Sequence, residues 1–368
     1  MIMQLGGKFI CLLGIVTLCL IPALSSLLAE TPEPLPIGKR TSLFYGLNED
    51  PLWNFAPADL SHFSEMLKES GCGSLRIPLR WSVVENKKGV WDFSALDSVM
   101  SHIPEHVEIL GTLMSVPSWA NGTTNKKVTG WSDSYPPRDL SDWSTYVTAT
   151  VSHYKGRIRY WEIWNEENGV DFYHPHPDAA AYALLLKTAY LAAKRADPGC
   201  MVVLGGLQMN GVIPNPWSAV KVSNYLEDLY QAGARDFFDI CNIHPYVLTK
   251  EGAAHMIDLT RDTRAVMARH GDSEKALWIT EVGCGARSSQ AEQDQARLLS
   301  DTFAFAAKEA GIQRVFWFML RDMKKDLLGP EGSMGLFSYE GRPKQALDAL
   351  CRMVPAKASA RCLPTAPR

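Results

Sequence analysis

The sequence lacks several features that mark other protein classes. Its 368 residues carry a formal net charge of only −3 at pH 7, which gives no electrostatic basis for binding nucleic acid or an anionic membrane. No cysteine or histidine spacing resembles a zinc site. Gly205-Gly206 is not followed by the Gly-x-Gly-x-x-Gly pattern of a nucleotide-binding loop. We therefore predict no metal, no organic cofactor and no nucleic-acid partner.

The chain also lacks a Ser- or Gly-rich linker, a charge block and an internal sequence repeat, so nothing divides it into several domains. Hydrophobic residues make up 46% of the sequence, enough for a large core, and single α/β barrels reach this length. We predict one domain over residues 42–355, followed by a C-terminal tail over residues 356–368. We expect the protein to be a monomer.

No apolar run is long enough for a typical membrane helix. The longest, residues 9–24, follows Lys8 and stops short of the roughly 20 residues that a span needs. Small residues come next, at Ser25, Ser26 and Ala29, as at a signal-peptide cleavage site. We predict a signal peptide over residues 1–29, a Pro-rich leader over residues 30–41, and a secreted or periplasmic protein. The alternative is an uncleaved segment that anchors the protein to a membrane.

What the sequence does contain is a regular alternation of two kinds of segment. Short apolar runs, rich in β-branched and aromatic residues, are typical of strands covered on both faces. Amphipathic helical segments lie between them. Eight such units predict a parallel sheet closed into a single-domain (β/α)₈ barrel. The predicted strands are residues 43–47, 74–78, 107–113, 158–164, 201–206, 237–243, 277–281 and 314–319, and the predicted helices are residues 59–68, 141–154, 177–196, 290–310 and 344–353.

Two glutamates stand where such barrels build their active sites. Glu166 follows the fourth predicted strand, within Trp161-Glu162-Ile163-Trp164-Asn165-Glu166-Glu167-Asn168, and Glu281 ends the seventh. These two strands lie nearly opposite each other at the barrel mouth. Two carboxylates facing one sugar ring are the groups that glycoside hydrolysis requires. A single glutamate at a strand end would more simply be a helix cap or a surface charge, and it is the matched pair that favours catalysis. Glu162 is expected inside the strand.

These motifs resemble those of the clan of (β/α)₈ retaining glycoside hydrolases, and within it family 39 and its relatives. Trp164-Asn165-Glu166 matches the clan's acid/base motif, and Thr280-Glu281-Val282-Gly283 matches its nucleophile motif. The run from Phe238 to Tyr246 supports the likeness to family 39. The resemblance spans roughly residues 43 to 350.

The resemblance implies a retaining hydrolase that cleaves a β-linked oligo- or polysaccharide, with Glu166 as acid/base and Glu281 as nucleophile. It implies supporting roles for Asn165 at the sugar, for Arg76 at the end of strand two, and for His244 and Tyr246 after strand six. Trp317 would be either the sugar-stacking platform or a core residue. Trp119 would either line an outer subsite or pack in the core.

One residue departs from the family pattern. Glu167 stands where these enzymes have proline after the acid/base. Its carboxylate would raise the pKa of Glu166 if the two approached each other. We expect it to point into solvent instead. Two other functions remain open: a non-catalytic carbohydrate-binding barrel, and an envelope transglycosylase that uses the same residues.

Overall fold

A computed structural model of the chain describes residues 44–124, 131–209, 220–246, 254–309, 311–324 and 330–355. The predicted signal peptide, the Pro-rich leader and the C-terminal tail lie outside these residues. Within the described ranges, no helix is both long and apolar enough to cross a membrane.

Eight parallel strands form a closed barrel, as predicted from the alternating segments. Each strand pairs with the next along the chain, and β8 pairs with β1 to close the ring. The fifth strand continues past Gly205-Gly206 as the short segment Leu207–Gln208. The strands are β1 Tyr45–Asn48, β2 Ser74–Arg80, β3 Glu108–Met114, β4 Tyr160–Ile163, β5 Met201–Leu204, β6 Ile240–His244, β7 Ala276–Val282 and β8 Ile312–Phe318.

Helices surround the barrel, and all five predicted helices are present with ends close to those expected. Several begin at an N-cap carboxylate or hydroxyl that satisfies a free backbone N–H, such as Asp178 on Ala181 and Ser288 on Ala291. The described helices are α1 Pro51–Asn54, α2 Leu60–Ser70, α3 Trp81–Val84, α4 Ser94–Ser101, α5 Ser118–Asn121, α6 Leu140–His153, α7 Ala179–Ala196, α8 Val222–Gln231, α9 Ala254–Arg269, α10 Ser289–Lys308 and α11 Gln345–Met353. Short 3₁₀ turns lie at Pro57–Asp59, Ser132–Ser134, Ala234–Phe237 and Pro330–Ser333.

The barrel interior is built in layers, because alternate residues of each strand point inward. Deep in the barrel the inward side chains form an apolar cluster of Leu110, Tyr160, Val203, Ile240, Trp278 and Phe316. Two positions further along their strands, the inward residues are polar: Thr112, Glu162, Asn242 and Thr280. This polar layer is the floor on which the residues of the strand ends rest.

Candidate active site

The turn after β4 delivers Glu166 to the barrel mouth through an unusual backbone. Trp164 and Glu166 have φ of 74° and 51°, in the left-handed region that non-glycine residues rarely adopt. The turn is held by hydrogen bonds, from the Trp164 indole N–H to the Phe172 carbonyl (2.8 Å) and from the Glu166 N–H to the Gly206 carbonyl (3.1 Å). A strained backbone fixed by its surroundings is common at functional sites.

Glu281, the other predicted carboxylate, is near the end of β7 and is held by two donors. Nη1 of Arg76 lies 2.6 Å from its Oε1, and the Tyr246 hydroxyl donates to its Oε2 at 2.6 Å. Arg76 also donates through Nη2 to the Asn165 side chain at 2.7 Å. The structure therefore brings these four predicted residues together. Arg76 lies in the middle of β2, which runs two residues further than expected, and not at its end.

His244 lies between the two predicted catalytic carboxylates. Its Nδ1 is 2.8 Å from Oε1 of Glu166 and 3.8 Å from Oε2 of Glu281. Its Nε2 is 2.9 Å from the Thr280 hydroxyl, which fixes the orientation of the ring. One oxygen of each carboxylate and one histidine nitrogen all lie within 4.8 Å of one another. The two glutamates are thus close enough to act on one substrate.

The surroundings of the two carboxylates shift their pKa values in opposite directions. Burial raises the pKa of Glu166 above its usual value, and the hydrogen bond with His244 offsets this only in part. Burial also acts on Glu281, but His244, the Arg76 guanidinium and the Tyr246 hydroxyl outweigh it and hold the pKa of Glu281 below its usual value. One carboxyl group is suited to carry a proton and the other to stay ionised, which is the division of labour between a general acid and a nucleophile.

Glu166, His244 and Glu281 are also the one group in the described part of the chain with spacing and chemistry to hold a metal ion. Two carboxylates and an imidazole would suit a divalent cation. The Arg76 guanidinium, however, already balances the charge of Glu281 at 2.6 Å. That position of the arginine fits an organic substrate better than a cation, which it would repel.

The polar layer beneath the site was only partly visible in the sequence. Glu162 is completely buried and accepts hydrogen bonds from Arg76 (2.5 Å), Thr112 (2.7 Å) and Asn242 (2.6 Å), with Thr280 at 3.2 Å. It was expected inside the strand, but its pairing with Arg76 was not. The sequence signal that could have found this layer is a single polar residue at an inward-facing position in each of several otherwise apolar strands.

Glu167 does not point into solvent, and that expectation was wrong. The residue is completely buried, and neither carboxyl oxygen has a hydrogen-bond partner among the described residues. Burial raises the pKa of Glu167 well above its usual value. The carboxyl group lies against Gly205, where an added Cβ would come within 2.1 Å of its Oε2. The Gly205-Gly206 pair is thus required by packing, since a Cβ on Gly206 would lie 1.9 Å from Nε2 of His244.

The two predicted tryptophans, Trp317 and Trp119, have different surroundings. Trp317 is completely buried and donates its indole N–H to the Met334 carbonyl, so it is a core residue and not a stacking platform. Trp119 is partly buried and packs edge-on at 5.5 Å against Trp81, itself in the core. The ring beside the site is that of Phe318, one residue further along β8. It is half-buried, with its centroid 6.3 Å from that of Tyr246.

Comparisons with known proteins identify a related family model and related folds. Residues 205–349 match the family model of the glycosyl hydrolase catalytic core, a stretch that holds Glu281, His244 and Tyr246 but not Glu166. No curated protein matches the chain by sequence.

Several solved structures share the fold. A family 39 glycoside hydrolase from Bacteroides cellulosilyticus WH2 superposes with a TM-score of 0.64 at 21% identity, over 84% of this chain and 63% of that one. A family 39 enzyme from Xanthomonas axonopodis pv. citri gives 0.65 at 18% identity, over 85% and 66% of the two chains. Xylanase 10B from Thermotoga petrophila RKU-1 gives 0.58 at 14% identity, over 86% and 95%.

The chain thus spans just under two thirds of the length of the two family 39 enzymes. The resemblance drawn from the two glutamate motifs is confirmed as far as the glycosyl hydrolase catalytic core over residues 205–349 and the (β/α)₈ fold. Residues 205–349, which match the glycosyl hydrolase catalytic core, lie within a (β/α)₈ barrel of the fold that family 39 enzymes share.

Proposed function

We propose that the protein is a retaining glycoside hydrolase in which Glu281 is the nucleophile and Glu166 the acid/base. The observation that carries the proposal is the closeness of the two carboxyl groups around His244, with oxygens within 4.8 Å. Retaining enzymes need carboxyl groups roughly 5–5.5 Å apart, whereas inverting enzymes need about 6.5–9.5 Å to admit a water molecule. The opposite pKa shifts of the two groups support the same assignment.

In the first step, an oxygen of Glu281 forms a bond to the anomeric carbon while the bond to the leaving oxygen breaks. Glu166 transfers its proton to that oxygen. In the second step, Glu166 removes a proton from water, whose oxygen displaces Glu281 and restores the original configuration. Arg76 and Tyr246 keep Glu281 ionised and oriented in the free enzyme. The amide of Asn165, anchored by Arg76, is placed to bind a sugar hydroxyl.

The proposal extends to substrate and setting. The substrate is a β-linked oligo- or polysaccharide. The half-buried Phe318 ring, which packs near Tyr246, is the aromatic surface proposed to contact it. Among the structures with the same fold is a monomeric beta-xylosidase from Caulobacter crescentus CB15, at 17% identity and a TM-score of 0.62. We propose a monomer that is exported through the segment 1–29.

Chemical rescue tests the two roles separately. Glu281→Ala and Glu166→Ala should each lower kcat on an activated aryl β-glycoside by about 10³-fold or more, as expected when a group acting only in the transition state is lost. Added azide should restore turnover in both variants, giving the α-glycosyl azide with Glu281→Ala and the β-glycosyl azide with Glu166→Ala. The exposed Glu65, whose side chain is 76% accessible, provides the control variant Glu65→Ala.

Each outcome has a clear meaning. Full activity in either catalytic variant would refute the mechanism, and azide products of the opposite configuration would exchange the two roles. A wild-type protein that binds glycans but turns none over would be a carbohydrate-binding barrel. Transfer products that outweigh hydrolysis products would identify a transglycosylase.

A further inference from the structure

Only three aromatic residues in the described part of the chain are exposed, and all lie at the same end of the barrel. They are Trp53, Trp131 and Tyr339, with exposed fractions of 46%, 48% and 38%. Trp53 follows β1, Trp131 follows β3 and Tyr339 follows β8. The loops after the strands form the mouth of the barrel, where Glu166 and Glu281 are found. The exposed rings of the described residues are therefore confined to the end of the barrel that holds the site.

Trp53 and Trp131 form one continuous aromatic edge. Their ring centroids are 6.2 Å apart with the planes at 72°, and Trp131 makes a similar edge contact with Phe172 at 6.1 Å. Adjacent exposed rings are unfavourable in a free surface, and contiguous apolar patches of this kind mark binding sites. Indole rings present a wide flat face with a polar edge, which suits a ligand that is apolar on one side and polar on the other.

Fixed polar groups border this aromatic edge. Arg80 lies with its guanidinium carbon 5.9 Å from the Trp53 ring centroid, and it pairs with Asp50 at 2.5 Å. It also donates to the Ser115 hydroxyl at 3.1 Å, with Asp133 at 3.9 Å. Each of these charged side chains is partly exposed, so donors and acceptors are held beside the rings. A sugar needs this combination, since its hydroxyl groups bind polar atoms and its C–H face covers a ring.

The edge is connected to the catalytic centre through β1 and β2. Arg80 is four residues along β2 from Arg76, on the same face of the strand and about 13 Å further along it at the usual rise per residue. Asp50 comes two residues after Asn48, which is paired with both Arg76 and Phe318. The distance exceeds the length of one sugar ring. A ligand that reaches from the residues held by Arg76 to those beside Arg80 therefore extends beyond one sugar ring.

A cavity extends the same surface away from Trp131. It has a volume of about 110 Å³ and is lined by residues that include Trp53, Asp50, Asn54, Met319 and Tyr339. Met319, which lines the cavity, directly follows Phe318, whose ring lies beside the site. Two of the exposed rings, Trp53 and Tyr339, thus line one cavity at the same end of the barrel as the catalytic centre.

We propose that Trp53 and Trp131 form an outer sugar-binding subsite, and that the substrate is a glycan chain extending beyond the two sugars joined by the cleaved bond. This inference rests on the proposed glycosidase function and names the class of its substrate as oligo- or polysaccharide rather than a disaccharide. A protein partner fits less well, because the patch is small and is interrupted by the charges of Arg80, Asp50 and Asp133, whereas a specific protein interface buries about 800 Å² on each side.

The test compares substrates of increasing length. The wild-type protein is assayed on β-1,4-linked xylo-, gluco- and manno-oligosaccharides of two to six sugars. In the series that is cleaved, kcat/KM should rise about tenfold or more from the shortest to the longest substrate, as expected when remote contacts contribute binding. The double variant Trp53→Ala/Trp131→Ala should lose this rise. Trp53→Phe/Trp131→Phe keeps two rings and should keep part of it.

The matched control is Leu184→Ala, which removes a side chain that is 58% exposed on α7, away from the edge. It should keep the wild-type dependence on length. Circular dichroism verifies that all variants are folded. An unchanged length dependence in Trp53→Ala/Trp131→Ala would overturn the subsite and leave the catalytic proposal standing.

Binding separates failure of the subsite from failure of the catalytic proposal. If no series is cleaved, the hexasaccharides are titrated calorimetrically into wild-type protein and into the double alanine variant. Binding that is lost in the variant supports the subsite while the catalytic proposal fails. Equal binding to both proteins, or binding to neither, overturns the subsite.

Discussion

Replacing Glu167 by glutamine should change how stability depends on pH. The carboxyl group is completely buried beside Gly205, and both its oxygens lack a hydrogen-bond partner among the described residues. Such a group stays protonated in the folded protein, because ionising it would bury a negative charge that has no ion-pair partner among the described residues. Burial accordingly raises the pKa of Glu167 well above the usual 4.5. Glutamine has the same shape and is neutral at every pH.

The sign of the effect follows from proton linkage. Above pH 4.5 the unfolded chain releases the Glu167 proton while the folded protein keeps it. The stabilisation is therefore complete below pH 4.5 and is lost as the pH rises towards the folded pKa. The slope is at most about 1.4 kcal/mol per pH unit for one group. Between pH 5 and pH 7 the wild type should thus lose up to about 2.7 kcal/mol relative to Glu167→Gln.

Urea unfolding of both proteins at pH 5, 6 and 7 measures this difference. All other titrating groups are shared, so the difference between the two free energies of unfolding isolates Glu167. It should shift steadily in favour of the glutamine variant as the pH rises. The exposed, non-titrating Leu184 supplies the control, since Leu184→Ala should give a difference that is nearly constant with pH. Parallel curves for Glu167→Gln and wild type would show that the folded protein holds the ionised carboxylate, and would refute the reasoning.

Two further predictions concern the catalytic centre. Arg76→Met removes a donor that lowers the pKa of Glu281. The acidic limb of the kcat/KM profile should therefore move to higher pH, and kcat/KM should fall by about 10²-fold or more. A pH–rate profile with an unmoved acidic limb would contradict this. Gly206→Ala places a Cβ 1.9 Å from Nε2 of His244. It should lower activity by displacing the imidazole while the protein stays folded, and wild-type kinetics in that variant would count against the packing argument.

The fold and the catalytic pair were accessible from the sequence, because both depend on simple periodic patterns. Apolar strand segments alternating with amphipathic helices identify a parallel barrel, and counting them places Glu166 after β4 and Glu281 on β7. Arg76 was also identified, although its strand continues to Arg80. Strand ends are less predictable than strands, since they depend on pairing with neighbours that are distant in sequence.

The positions of individual side chains at the barrel mouth were harder to predict from the sequence. Two cases show the physical reasons. Trp317 and Phe318 are neighbours on β8, and successive residues of a strand face opposite sides, so an assignment shifted by one residue exchanges core and site. Glu167 follows a turn in which Trp164 and Glu166 both have positive φ. Neither residue is glycine, so the sequence carries no local signal for the turn that directs Glu167 into the core.

Glu162, Glu166 and Glu167 lie within six positions and would repel one another if all three were ionised. The barrel gives each of them a different environment. Glu162 is buried but ion-paired with Arg76 and surrounded by hydroxyl and amide donors. Glu166 is hydrogen-bonded to the imidazole of His244, and burial raises its pKa. Glu167 has no hydrogen-bond partner among the described residues, and burial raises its pKa well above the usual value. A neutral Glu167 adds no charge beside the acid/base, so it can replace proline without disturbing the protonation of Glu166. The glutamine variant tests this as well, since it should leave the basic limb of the activity profile where it is in the wild type.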